Sequence, residues 1–155
     1  MNDDVINIIK MELHNYIEKH IDYINKTICF HNGLQRRIVA IARMLGLKPI
    51  IEYEILDDKM YNKYIDVVWL DRNENIIYAI EIDSSLKIGS INKLSCIKAE
   101  NKIWILYCNS INNSKYNDLM DKYNKDNEID IIYLGPLRQY LRDRLKENLD
   151  KTKNN

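Results

Sequence analysis

Three β-type runs stand in succession between residues 48 and 82, and no other feature constrains this 155-residue chain as much. Runs 48–55, 63–70 and 76–82 are rich in Ile, Val, Tyr and Trp, whose branched or flat side chains suit a pleated, half-buried surface. Only Asp71-Arg72-Asn73-Glu74-Asn75 separates the last two. Five turn-forming residues are too few for a crossover, so the spacing predicts antiparallel pairing and, over the three runs, a meander.

Helical periodicity surrounds the meander. Val5, Ile9, Leu13, Tyr16, Ile17, Ile21 and Ile24 recur near every 3.6 residues and predict a helix over 4–25, with Asp3 or Asp4 as its cap. A second helix opens near Asn32, carries Leu34, Ile38, Ile41, Ala42 and Leu45, and stops at Gly46 with Pro49 just beyond. After Asp83 come a helix with Ile88, Ile91 and Leu94, a strand over 102–108, a polar helix over 113–125, a strand over 129–134 and a helix from Pro136 to about Leu149. The order ααβββαβαβα predicts an α/β protein with a mixed sheet flanked by helices, the later strands being parallel because helices join them. No repeat or composition break divides the chain, so one domain over 1–150 and a frayed tail over 151–155 are expected. The apolar stripe of the first helix calls for a cover, which suggests a homodimer.

Composition narrows the function classes. The 23 basic and 23 acidic side chains cancel, so any nucleic-acid partner must meet a local basic patch. Cys29, Cys96 and Cys108 are odd in number and show no CxxC spacing, which argues against a disulfide framework and a zinc finger and fits a reducing cytoplasm. No apolar run approaches the ~20 residues that span a bilayer, so no membrane partner is expected. Glycine-rich phosphate loops and GxSxG elbows are absent from the sequence.

Chemistry concentrates in acids on the strands. Asp66 sits within Tyr64-Ile65-Asp66-Val67-Val68-Trp69, an unusual place for an idle charge. Glu81 and Asp83 are two residues apart in the third run, so alternation sends both to one face. A register that brings Asp66 beside Glu81 makes a cluster of hard oxygen ligands suited to Mg²⁺ or Mn²⁺, able to activate water for phosphodiester cleavage. The alternative is a set of ordinary strand-end carboxylates facing water.

Over residues 30–108, helix, meander, helix and strand follow one another with an Asp in the second strand and an acidic motif in the third. In this the chain resembles the PD-(D/E)xK, or restriction-endonuclease-like, nuclease superfamily. The resemblance implies a metal-dependent endonuclease that hydrolyses nucleic acid, DNA by family analogy, with Mg²⁺ or Mn²⁺ as cofactor. Asp66 matches the family's aspartate and Glu81 the glutamate of its ExK motif, while Asp83 falls where the lysine is expected. An aspartate cannot supply the lysine's positive charge. Lys87, in the following loop, or Lys93, on the next helix, would restore it; alternatively Asp83 is itself a ligand or base. Glu52 or Glu54, on the first strand, corresponds to an acid that extends the metal site in many members. The missing lysine also motivates a second reading, a catalytically inactive nuclease-fold module that binds nucleic acid or a protein partner. A third is an assembly module that dimerises through its first helix.

Basic residues supply a candidate nucleic-acid surface. Arg36, Arg37 and Arg43, with Gln35, lie away from the apolar stripe of the second helix and form a cationic strip. Arg138, Arg142, Arg144 and Lys146 on the last helix favour its C-terminal dipole, and a solvated face is the simpler reading there. Tyr61 and Tyr64 are candidates for base stacking. His31 precedes the second helix and lies near the expected pocket, whereas His14 and His20 read as surface or packing residues.

Overall fold

The computed structural model describes residues 2–19, 30–55, 63–108, 110–126 and 128–153. The elements are α1 (Asn2–Lys19), α2 (Phe30–Met44), β1 (Lys48–Glu54), β2 (Tyr64–Leu70), β3 (Ile76–Asp83), α3 (Ile88–Cys96), β4 (Asn101–Leu106), α4 (Asn113–Tyr123), β5 (Ile129–Tyr133) and α5 (Gly135–Lys153). Their order is the expected ααβββαβαβα. The end of the expected first helix, with His20, falls outside the described residues, as do Cys29 and Tyr61. Residues 151–153, expected to fray, continue α5.

The strands form one open sheet in chain order, β1-β2-β3-β4-β5. β1, β2 and β3 pair antiparallel, and β3, β4 and β5 pair parallel. The short link between β2 and β3 explains the first half. In it the Asp71 carboxylate accepts from the Asn73 and Asn75 N–H groups, both at 2.8 Å, an Asx-type turn that returns the chain on itself. The parallel half follows from α3 and α4, each of which carries the chain back across the sheet.

Helices cover both faces, and strand alternation supplies a core to each. Ile9, Leu13 and Ile17 of α1 and Leu34, Ile38 and Ile41 of α2 are fully buried against Val67, Trp69, Ile80, Ile103 and Ile105. On the opposite face Ile91 and Leu94 of α3 and Leu119 of α4 pack on Val68, Ala79, Trp104 and Leu106. Each such aliphatic side chain contributes roughly 1.5–3 kcal/mol of burial free energy, so the two cores outweigh any single polar contact. The α1 stripe that motivates a dimer is thus buried within the chain. α2 ends at Gly46, whose φ of 74° sets the left-handed turn. There the Leu47 N–H reaches the Ala42 carbonyl at 2.9 Å and the Gly46 N–H reaches that of Arg43 at 3.1 Å, a Schellman closure. It aims the chain straight into β1.

Among the described residues no helix is long and apolar enough to cross a membrane.

Candidate active site

The regular pairing of β2 with β3 ends at Val67↔Ile80. The next pair in that register is Asp66 and Glu81, and here side chains replace the ladder. The Asp66 N–H donates to Glu81 Oε1 at 3.1 Å, and the Ile82 N–H donates to Asp66 Oδ2 at 2.7 Å. Each acid therefore satisfies a backbone donor of the other strand, which lets the strands part without orphaned N–H groups. Opposite Asp66 on β1, Glu52 has φ 51°, a left-handed backbone that costs a non-glycine residue about 1 kcal/mol or more. Alternation breaks at the same level: Ile50 and Tyr53, three residues apart, pack on one core, as do Ile65 and Val68.

A cavity of about 700 Å³ opens where the strands part. Asp66, Glu81, Asp83, Glu52 and His31 line it together with Lys63, Lys87, Lys93 and Lys115. Acids from the strands are thus joined by cations from loops and helices.

Glu81 is 1% exposed. Lys93 projects from α3 onto it, with Nζ 2.8 Å from Oε1 and 2.7 Å from Oε2, and Nζ also donates to the Tyr64 carbonyl at 2.7 Å. All three ammonium donors are used, so Lys93 is held rigidly beside the acid. Burial, and secondarily the negative charge of Asp66, pushes the Glu81 carboxyl up to about 7, with Lys93 opposing the rise. Burial likewise raises Asp66 above its ordinary 3.8, against the Ile82 hydrogen bond and the charges of His31 and Lys93. Two neighbouring acids whose carboxyls are both raised occur where burial and like charge converge, a common property of functional sites.

Asp83 faces the same side as Glu81, as alternation predicts, yet its oxygens are engaged. Oδ2 accepts from Trp104 Nε1 at 2.9 Å, and Oδ1 pairs with Lys87 Nζ at 2.8 Å. That hydrogen bond raises the Lys87 pKa. Lys87 is therefore committed to Asp83 at the cavity mouth, and the lysine that reaches Glu81 is Lys93.

The remaining candidates separate. Glu52 lines the cavity and accepts from Gln35 Nε2 at 3.3 Å, whereas Glu54 is exposed and does not line it. Arg36 and Arg43 both line a neighbouring trough. Arg37 leaves the strip, because its Nη2 donates to Glu12 Oε2 of α1. His31, weighed in the sequence only by position, places Nε2 3.8 Å from Asp66 Oδ1. Trp104 and the Tyr64 carbonyl carried no sequence signal for the site.

Among the described residues no three His, Cys, Asp or Glu side chains are grouped to hold a metal ion, so the expected cluster of four or five acids is not assembled. Asp66 and Glu81 remain as a neighbouring pair. Mg²⁺ commonly binds through one or two carboxylates and completes its octahedron with water and substrate oxygens, so a pair of this kind fits it and Mn²⁺, provided the ion displaces Lys93 from one Glu81 oxygen. Asp66 Oδ1, beyond hydrogen-bond length from His31, is the acceptor least engaged.

No family model, no curated protein and no solved structure matches the chain.

Proposed function

We propose that the chain is a metal-dependent phosphodiester hydrolase acting on nucleic acid, DNA being the substrate that its resemblance to the PD-(D/E)xK superfamily suggests. One observation carries the reading: Lys93 of α3 contacts both oxygens of Glu81, beside Asp66, at the floor of an open cavity. That set has the composition of an Asp, Glu and Lys phosphodiesterase centre, with the lysine drawn from the helix instead of position 83.

Asp66 and Glu81 would hold Mg²⁺ or Mn²⁺, which when bound lowers the pKa of coordinated water and polarises a phosphoryl oxygen. The chain's own groups do the rest. Lys93 offsets the charge of Glu81 and offers a fixed ammonium to the charge that develops on the phosphorane-like oxygens. Lys63, Lys87 and Lys115 give the cavity lining positive charge, which attracts a phosphodiester while the acids stay at the floor. Trp104 positions Lys87 by donating to the Asp83 carboxylate that Lys87 pairs with.

The alternative of an inactive nuclease-fold module is favoured by one feature, the full engagement of Lys93 by Glu81 and Tyr64. Incubating the purified chain with supercoiled and single-stranded DNA in millimolar Mg²⁺, Mn²⁺ or EDTA decides between them. Cleavage that needs the metal and falls at least about 100-fold in Glu81→Gln supports the hydrolase. DNA binding with no cleavage in either metal makes the inactive module the correct reading.

A further inference from the structure

A second concavity, about 530 Å³, lies between α2 and β1. Arg36 and Arg43 line it from the helix and Pro49 and Ile51 from the strand. Among the described residues β1 pairs with β2 alone and no strand lies beyond it on this flank of the sheet, where Ile51 is 53% exposed. Both arginines are exposed. In contrast to Arg37, neither is held by a carboxylate among the described residues.

The trough shares a wall with the acid cavity. Gln35 lines the trough and donates from Nε2 to the Asp66 carbonyl at 3.0 Å. His31 and Asn32, consecutive on α2, line the cavity and the trough respectively. Arg36 and Arg43 are two helical turns apart, about 10 Å of rise. Two long, exposed arginine side chains set that far apart can each reach a different phosphate of one nucleic-acid backbone.

A peptide strand added to the β1 edge is the competing occupant, and the edge resists it. Pro49 lacks an N–H, and the positive φ of Glu52 interrupts the ladder geometry.

We propose that the trough between α2 and β1 is a track for a nucleic-acid backbone, with Arg36 and Arg43 each on a phosphate, leading the strand past Gln35 into the acid cavity. The inference rests on the nuclease reading and extends it to the path of the substrate. Two phosphate contacts have a measurable signature in salt dependence. Binding of a labelled DNA duplex and of the same single strand is followed by fluorescence anisotropy in EDTA over a salt series, using the full chain. The slope of log affinity against log salt should be shallower by about 1.8 for duplex, or 1.4 for single strand, in the Arg36→Ala, Arg43→Ala double variant. The Arg36→Lys, Arg43→Lys variant keeps the slope, and so does Lys122→Ala, on α4 over the opposite face of the sheet. A double alanine variant that binds with wild-type slope and affinity overturns the track, as does a wild type that binds neither DNA. Hydrolysis of bis(p-nitrophenyl) phosphate, too small to span the trough, separates the two readings. If it is hydrolysed while the double variant binds normally, the track fails and the nuclease stands. If DNA is held through the arginines while neither substrate is cut, the track stands and the nuclease fails.

Discussion

Replacing Glu81 with Gln keeps the shape of the side chain and removes its charge, and the consequence for stability follows from where that charge sits. A carboxyl moved from its ordinary 4.5 to about 7 is disfavoured as the anion in the fold by about 3 kcal/mol, at ~1.4 kcal/mol per pH unit. A raised carboxyl pKa means that the folded chain holds the proton more tightly than the unfolded chain. That advantage is complete below pH 4.5 and is lost as pH rises through 7, so Glu81 lowers stability across this window. Glu81→Gln has no such proton. In EDTA, the difference in unfolding free energy between wild type and Glu81→Gln should therefore shift by about 3 kcal/mol in favour of the variant between pH 4.5 and pH 8. In a domain of this size that corresponds to roughly 6–12 °C in Tm. Urea unfolding at a series of pH values reads it directly. Differences common to both proteins cancel, so the residual pH dependence belongs to Glu81 and whatever it couples to. Parallel curves would refute the argument, because they would mean that Lys93 compensates the burial fully. Millimolar Mg²⁺ at pH 8 should recover part of the wild-type deficit and leave Glu81→Gln unmoved, since an ion that binds the carboxylate stabilises the state that burial penalises.

Lys93→Ala should reduce metal-dependent DNA cleavage by about 100-fold or more and Lys87→Ala by less, because only Lys93 touches Glu81; the reverse order in single-turnover rates would move the catalytic cation to the loop. Lys93→Ala also leaves a buried carboxylate unpaired, so its stability at pH 8 should fall by roughly 3 kcal/mol, read by denaturant unfolding, and recover partly at pH 5. Gly135→Ala should lower Tm, with a cost of about 1–3 kcal/mol, because an added Cβ would lie 2.0 Å from the Cys108 carbonyl oxygen, a backbone atom that cannot swing away. Glu74→Gly should raise stability by up to about 1 kcal/mol in urea unfolding, since Glu74 has φ 65° and its bridge to Lys48 joins two exposed side chains.

The antiparallel pairing of β2 with β3 was readable because its cause is local, a turn too short for a crossover, and the period of two puts Asp83 on the same face as Glu81. The register was not: continued from Leu70↔Ile76 it would set Asp66 against Ile80, and the irregularity between Trp69 and Leu70 shifts the ladder by one residue to bring Glu81 opposite Asp66. The choice between Lys87 and Lys93 was not readable, because it depends on how α3 lies across the sheet, which long-range packing of Ile91 and Leu94 decides. For the same reason Arg37 looked equivalent to Arg36 and Arg43: its partner Glu12 lies 25 residues earlier on another helix. The left-handed backbone of Glu52 carried no signal, since glutamate is not a residue that favours that conformation. Asp83 misled in an instructive way. Read as a free carboxylate, it supported a larger metal cluster, and its engagement by Trp104 came from a parallel pairing whose register no hairpin sets.

The sheet's order has a consequence for how the chain is made. Each strand lies beside the one that precedes it in sequence, so every strand that leaves the ribosome finds its template already synthesised. At each stage one growing edge waits for its successor, and no strand has to be inserted between two others that have already paired. β4, with five of its six residues buried, emerges after β3 and α3, which already cover one edge and one face of it. A chain built in this way keeps its aggregation-prone edge short-lived during synthesis, although half of its sheet is parallel, the arrangement that is otherwise slowest to form.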